Sequence, residues 1–217
     1  MKISLVKDKI HPNLFKKLGF ETFRPAQSKA INSGLLEGKN LLICTPTASG
    51  KTLVAEIAML QNIYNNKGKG VYIVPLKALA SEKYEYFKEK YPDLKVALSI
   101  GDTDSSDSYL DKFDIIITVS EKLDSLIRHK SAFLRYVATV VVDEVHLLND
   151  PYRGPTVEIV ITILRQVLKK AQFIALSATI GNPKELAEWL DANLVIDDWR
   201  PVKLHQGIYQ EGEIEFY

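Results

Sequence analysis

The stretch Leu41-Leu42-Ile43-Cys44-Thr45-Pro46-Thr47-Ala48-Ser49-Gly50-Lys51-Thr52 passes from an apolar run into a polar, glycine-bearing turn. Beyond it, Leu53, Ile57, Leu60 and Tyr64 recur at helical spacing. The pattern predicts a short buried strand, a tight loop and a helix. A helix start leaves backbone N–H groups unpaired and carries the positive end of the helix dipole, so such a loop is suited to hold an anion, phosphate in particular. Pro46, Thr47, Ala48, Ser49 and Gly50 would line the cradle. Lys51 would reach the β- and γ-phosphates of a nucleotide, and the Thr52 hydroxyl would coordinate Mg²⁺. Only the Gly-Lys-Thr half of the phosphate-loop pattern is present: Thr45 stands where the simple pattern has its first glycine, and Ala48 takes a position that is often glycine. For that core alone, a helix cap with an exposed lysine explains the residues equally well. The strand before and the helix after favour phosphate.

Working outward, 217 residues suffice for one large α/β domain with a substantial core. Composition is that of an ordinary globular chain, 46% hydrophobic and 25% charged. With a formal net charge of only +1, contact with nucleic acid would rest on local placement of Lys, Arg and backbone N–H groups. The single cysteine, Cys44, excludes an intrachain disulfide and suits a reducing, cytoplasmic setting, while its apolar neighbours make it first of all a small core residue. No apolar stretch reaches the length of a membrane span, and Met1 to Asp8 is too charged for a signal peptide. Neither an internal repeat nor a low-complexity segment stands out.

Upstream, residues 1–39 predict a short lead-in, a helix near Asn13 to Leu18, and a helix after Pro25 that runs through Gln27, Ala30, Ile31 and Leu35. Downstream, a turn at 65–70 leads to a strand Val71 to Val74, ended by Pro75, and a helix from Leu76 to Lys90. A strand Val96 to Ile100 opens the polar loop 101–108, in which a helix is expected to start. Then come a strand Ile115 to Thr118, a helix Ser120 to Arg128, a strand Thr139 to Val142, a helix from about Thr156 to Lys169 and a strand Phe173 to Leu176. The next helix has Asn182 as N-cap, Pro183 at its first position and Glu185 at its third, the signature of a capping box. Short Val/Ile/Leu strands alternating with helices argue for a mostly parallel sheet covered by helices on both faces. Ligands then bind beyond the carboxyl ends of the strands, where every polar cluster above falls.

One of those ends carries Asp143-Glu144. Beside a phosphate loop, Asp143 would hold Mg²⁺ through a water and Glu144 would orient or deprotonate the water attacking the γ-phosphate. By itself such a pair is more often a solvated strand end. The phosphate loop reverses that ranking.

Taken together, the segments resemble the superfamily 2 helicases of the DExH-box type. Thr45 to Thr52, Asp143-Glu144-Val145-His146 and Ser177-Ala178-Thr179 resemble motifs I, II and III in order. Phe23-Arg24-Pro25-Ala26-Gln27 resembles the adenine-reading motif, Pro75-Leu76-Lys77-Ala78-Leu79 motif Ia, and Thr118-Val119-Ser120-Glu121-Lys122 the Ib region. Asp143 to Leu148 with Arg153-Gly154-Pro155-Thr156, Ala187-Glu188-Trp189-Leu190 and Trp199-Arg200-Pro201-Val202 are similar to the Ski-two-like branch, and within it to the archaeal DNA fork-repair helicases of the Hjm type. The resemblance covers nearly the whole chain.

It implies a RecA-like P-loop NTPase domain over residues 1–200, with ATP and Mg²⁺ as cofactors, and a linker beginning at 201–217 toward a second RecA-like domain that would supply an arginine finger. It implies that Phe20, Arg24 and Gln27 receive the adenine and that His146, Ser177 and Thr179 couple the nucleotide to strand binding. Leu76, Lys77, Ala78, Gly101, Asp102, Thr118, Ser120, Glu121 and Lys122 would grip the backbone of single-stranded or branched nucleic acid, DNA above RNA. Each has a plain alternative: Gln27 a solvated helix residue, Ser177 and Thr179 turn caps, Lys77 and Lys122 surface charges. Arg153 fits a nucleic-acid contact and an ion pair equally. The partner set implied is nucleic acid and the second domain, with no membrane, in a monomer. A switch GTPase or small kinase lacks support, since Asn66-Lys67-Gly68-Lys69 is without the acid that reads guanine. A silent nucleic-acid-binding module stays open as an alternative.

Overall fold

The computed structural model describes residues 1–101, 107–203, 205, 207–210 and 212–216. Strands β1 (Leu41–Cys44), β2 (Lys69–Val74), β3 (Val96–Ser99), β4 (Ile115–Val119), β5 (Val137–Val142), β6 (Gln172–Ser177) and β7 (Asn193–Ile196) build one sheet. Its order is β3-β4-β2-β5-β6-β1-β7, and every pairing is parallel. Side chains alternate across it as the pleat requires: Val71 and Ile73 of β2 pack on one face, Tyr72 and Val74 on the other. Helices α1 (Pro12–Lys17), α2 (Pro25–Asn32), α3 (Lys51–Tyr64) and α4 (Lys77–Lys90) cover the Tyr72 face. The opposite face lies under α5 (Ser120–Arg128), α6 (Gly154–Val167) and α7 (Pro183–Trp189). Strands covered on both sides need to be apolar throughout, which is why the sequence shows them as unbroken Val/Ile/Leu runs.

At the amino ends of the strands a buried amide network fastens α3 to the sheet. Asn62 Nδ2 donates to Thr139 Oγ1 at 2.8 Å and to Gln172 Oε1 at 3.1 Å, and Gln172 Nε2 donates to the carbonyls of Leu35 and Lys39. The carboxyl ends are thereby left for the site.

Several expectations shift. Helix α2 stops at Asn32 rather than passing through Leu35, because Gly34 turns the chain at φ +96°. Leu35 still reaches the core, after the turn. The capping box of α7 does not form: the Asn182 side chain caps no backbone N–H, and its amide donates to Glu185 Oε2 at 3.1 Å. Strand β7 was not anticipated. It is a four-residue edge strand with both end residues exposed, and so lacks the long apolar run that identifies its neighbours. The strand-like end is an antiparallel hairpin of β8 (Gly207–Gln210) and β9 (Glu213–Phe216). Most of the 101–108 loop lies outside the described residues; a 3-10 turn covers Ser108–Lys112. Among the described residues, no helix is long and apolar enough to cross a membrane.

Two phenols are sealed in this fold, Tyr72 at 0% and Tyr91 at 1% exposure. Burial, reinforced by the charge of Asp143 on Tyr72 and of Glu56 on Tyr91, raises both far above the ordinary tyrosine range. The unfolded chain therefore loses these protons first, so the stability they lend is intact below about pH 10 and is lost as pH rises above it. Each adds a slope of about 1.4 kcal/mol per pH unit in that window. Urea midpoints followed from neutral into alkaline pH should fall steeply past that point, and less steeply by one tyrosine in Tyr91→Phe. Equal slopes in parent and variant would contradict the assignment.

Candidate functional site

The loop between β1 and α3 is shaped by its own hydroxyls and by two left-handed residues. Thr45 and Ser49 are buried with their hydroxyl oxygens 2.7 Å apart, and the Thr45 N–H donates to the carbonyl of Ser177 on β6. Ala48 adopts φ +65° and Gly50 φ +90°, turning the backbone into the first residue of α3. Thr47 and Ala48 form the exposed lip, while Pro46, Ser49 and Lys51 are buried. Thr45 thus fills the place of the pattern's first glycine by bonding to Ser49 instead of leaving space.

From upstream, two side chains grip the loop. Arg24 Nη1 donates to the Ala48 carbonyl at 2.9 Å, and Gln27 Nε2 donates to the Gly50 carbonyl at 3.1 Å. Gln27 Oε1 accepts the Arg24 N–H at 2.9 Å, closing the start of α2. The solvated-helix alternative for Gln27 fails, since its residue is only 4% exposed. A Cβ on Gly50 would stand 2.5 Å from Gln27 Nε2 and would have to sit at positive φ. We expect Gly50→Ala to cost about 1–3 kcal/mol and to push the Gln27 amide off the loop. Thermal unfolding and nucleotide titration of the variant test this; unchanged values in both would exclude the described packing. Phe20 packs edge-on against Phe23 with centroids 5.3 Å apart and lines a cavity of about 460 Å³ together with Arg24, Gln27, Gly50 and Thr52. Arg24 also lies under the Trp199 ring, 5.5 Å from its centroid.

The acidic pair arrives from β5, two strands away in the sheet from β1. Lys51 Nζ stands 3.5 Å from Glu144 Oε2, so residues distant in sequence meet at one point. Asp143 is 7% exposed, and its oxygens are anchored separately: Oδ1 accepts the Glu144 N–H at 3.0 Å and Oδ2 accepts the Tyr72 hydroxyl at 2.8 Å. Burial raises the Asp143 pKa, against the opposing pulls of the Tyr72 hydroxyl and the Lys83 and Lys51 charges. Each Asp143 oxygen keeps a lone pair, and carboxylate and hydroxyl oxygens are the hard ligands that suit magnesium. Among the described residues no cluster of three or more His, Cys, Asp or Glu could cage a metal alone. Any such ion would therefore lean on phosphate oxygens and water. His146 Nδ1 lies 3.4 Å from Glu144 Oε2 and accepts the Ala178 N–H at 3.4 Å, bridging the two segments. Ser177 Oγ is buried and, among the described residues, has only the Cys44 thiol beside it; Thr179 is exposed, and burial pushes that thiol up to about 11 against the opposing pulls of Ser177 and the Lys51 charge.

The outer rim differs more from expectation. Leu76, Lys77 and Ala78 are exposed where β2 turns into α4, as is Gly101, while Asp102 lies outside the described residues. Thr118 is fully buried and donates to the Ser99 carbonyl at 2.7 Å; Ser120 is 2% exposed with its hydroxyl on Glu121 Oε2 at 3.2 Å. Lys122 is buried as well, its ammonium 2.9 Å from Asp107 Oδ2. It is neither a surface charge nor a side chain offered to a phosphate. Of that segment only Glu121 is exposed. Arg153 is exposed; its N–H is held by Asp150 Oδ1 at 2.8 Å. Gly154 follows because a Cβ there would meet the Leu148 carbonyl at 2.1 Å. Sequence reasoning missed Tyr72, Lys83 and Glu56. The available signal was a polar-tipped Tyr72 between the aliphatic residues Val71, Ile73 and Val74 of a buried run.

A parallel sheet with a phosphate loop after β1 and an Asp-Glu pair after β5, brought together at Lys51, defines a RecA-like P-loop NTPase fold. The family model for DEAD/DEAH box helicases matches residues 24–186, and the chain belongs to that family. It is 53% identical over 208 residues to the ATP-dependent DNA helicase Hel308 of Pyrococcus abyssi, covering 95% of this chain and 28% of that protein. It is 55% identical over 211 residues to the Hel308 of Methanocaldococcus jannaschii, covering 94% of this chain and 17% of that protein. Among solved structures it is similar to the DUF1998 helicase MrfA bound to DNA and AMPPNP, with TM-score 0.75 and 29% identity, covering 88% of this chain and 30% of that one. The chain thus spans under a third of the length of these relatives.

Proposed function

We propose that this chain is the ATP-binding unit of an ATP-dependent DNA helicase of repair or recombination, with residues 1–200 as its first RecA-like domain and 201–217 opening the linker to a second. The observation that carries the proposal is the Lys51 ammonium, 3.5 Å from Glu144 and seated at the start of α3 beside the anchored Asp143 carboxylate. In this reading the loop N–H groups and Lys51 bind the β- and γ-phosphates, and Phe20, Arg24 and Gln27 line the base pocket. Thr52 and Asp143 hold Mg²⁺, which when bound offsets charge on the phosphates. Glu144 takes the proton of the attacking water, and His146, Ser177 and Thr179 relay the state of the site to the rim. There Leu76 to Ala78, Gly101, Arg153 and the start of α5 meet the nucleic-acid backbone, without reading sequence. A cytoplasmic monomer completes the reading, with Cys44 buried and reduced.

DNA is favoured over RNA because the curated relatives are named DNA helicases and the MrfA structure holds DNA. Fluorescence titration with labelled ATP and Mg²⁺, and with single-stranded DNA and RNA of one sequence, tests the proposal. Weak binding of both nucleotide and DNA is expected, with Lys51→Ala abolishing the first. No Mg²⁺-dependent nucleotide binding would overturn the ATP site, and tighter binding of RNA would overturn the choice of DNA.

A further inference from the structure

Strand β2 lies beside β5, and its register pairs Tyr72 with Val141 and Ile73 with Val142. The Tyr72 side chain rises on the α3–α4 face and ends on Asp143 Oδ2, 2.8 Å away. The hydroxyl has the Asp143 carboxylate as its acceptor in a residue at 0% exposure, so no solvent competes for the bond. The ring is fixed in turn: Phe87 packs against it at 5.7 Å between centroids, and Lys83 Nζ lies 5.9 Å from its centre. An aliphatic residue would fill this strand position as well, as Val71, Ile73 and Val74 fill theirs. What tyrosine adds is one hydrogen-bond donor aimed at one carboxylate oxygen.

We propose that Tyr72 is a positioning residue for magnesium binding: its hydroxyl, with the Glu144 N–H on the other oxygen, fixes the plane of the Asp143 carboxylate so that the remaining lone pairs face the phosphate loop. The proposal rests on the assignment of Asp143 to Mg²⁺ made above. Among the described residues Asp143 has two hydrogen-bonding anchors, one on each oxygen, and the Tyr72 hydroxyl is the one that comes from a side chain. Removing the hydroxyl leaves the carboxylate free to turn about its remaining bond to the Glu144 N–H. Outer partners of metal-holding groups act in this way, and their loss commonly weakens metal binding by about tenfold or more.

The test is a Mg²⁺ titration of this chain with a fluorescent ATP, in the parent, Tyr72→Phe, Asp143→Asn and the double variant. Tyr72→Phe keeps the ring and its packing. It should raise the Mg²⁺ concentration at half-saturation about tenfold, while affinity for the nucleotide in EDTA stays at the parent value. In the Asp143→Asn background the same change should have little further effect, which a merely structural role of the ring would not produce. Equal Mg²⁺ dependence in parent and Tyr72→Phe overturns the proposal, as does an undiminished effect in the Asn background. Should Asp143→Asn itself leave the Mg²⁺ dependence unchanged, the assignment of Asp143 fails instead, and the two failures are told apart. The parent chain supplies an independent reading: with ¹³Cζ-labelled tyrosine, the resonance lost in Tyr72→Phe should shift when Mg²⁺ is added to the nucleotide complex and stay fixed with nucleotide and EDTA. If Tyr72→Phe does not fold, Tyr91→Phe removes the resonance of the other sealed phenol, so the resonance of a buried phenol that remains is that of Tyr72, and its failure to shift with Mg²⁺ overturns the proposal.

Discussion

Glu144→Gln should leave Mg²⁺·ATP bound and lower hydrolysis by about a thousandfold, in a chain that carries the second RecA-like domain. Glu144 has the left-handed backbone φ of +52°, unusual for a residue with a side chain. That turn, at the end of β5, sends the carboxylate toward the phosphate loop, where Oε2 stands 3.5 Å from Lys51 Nζ and 3.4 Å from His146 Nδ1. Its side chain is 32% exposed, against 7% for the neighbouring Asp143 residue, so Glu144 is the member of the pair that can meet a water molecule. Glutamine keeps the size and the turn but cannot accept the proton, and a positioned base is worth about 10²–10⁴ in rate. The groups assigned to binding are untouched: the loop, Lys51, Thr52 and Asp143. Phosphate release with and without DNA, beside nucleotide affinity, separates the two effects. Hydrolysis within about tenfold of the parent would remove the base role from Glu144.

The sheet was legible because its strands are buried on both faces and so appear as unbroken apolar runs, each followed by helical spacing. Leu41–Cys44 and Ser120–Arg128 have the bounds expected from residues alone. Strand β7 escaped because an edge strand has no need of such a run, and Asn193 and Ile196 at its two ends are exposed. The phosphate loop and the Asp143-Glu144 pair were legible as local chemistry, and parallel topology made their meeting at a strand end predictable. What periodicity could not give was the partner of each side chain. Thr118 and Lys122 look like strand-grip residues in one dimension, yet the first is spent on the Ser99 carbonyl and the second on Asp107. Arg24 and Gln27 were expected to face a base. Each donates instead to a carbonyl of the loop before α3, Arg24 to Ala48 and Gln27 to Gly50, and neither bond is visible from periodicity. Tyr72 and Glu56 go unnoticed for the converse reason: each is a single polar group within an apolar run, Val71 to Val74 and Leu53 to Leu60, and only burial with named partners exposes its purpose.

Glu56→Ala should destabilise the fold by about 3 kcal/mol, and the reason lies in which of its partners water can reach. Glu56 stands one turn beyond Thr52 on α3, at 1% exposure. Its Oε1 accepts the Tyr86 hydroxyl at 2.9 Å, and Oε2 accepts both the Lys90 ammonium at 2.8 Å and the Tyr91 hydroxyl. Removing the carboxylate strands three donors at once. Lys90, with its side chain 36% exposed, can turn to solvent, and Tyr86 is half open as well. Tyr91 cannot, so its hydroxyl stays buried and unpaired, next to the cavity the missing carboxylate leaves. Cutting the same cluster from the other side should be milder: in Lys90→Met the Glu56 carboxylate keeps two phenol donors, and about 1 kcal/mol is expected. For a chain of this size 1 kcal/mol moves the melting temperature by about 2–4 °C, so the variants should melt roughly 6–12 °C and 2–4 °C below the parent. Urea unfolding with unchanged slope would attribute both losses to the native state. Glu56, Tyr86 and Lys90 also line the cavity that Gly50 and Thr52 line, so nucleotide affinity should fall in both variants. Equal, small losses of stability in the two variants would mean that the Tyr91 hydroxyl finds another partner, and the asymmetry argued from burial would be wrong.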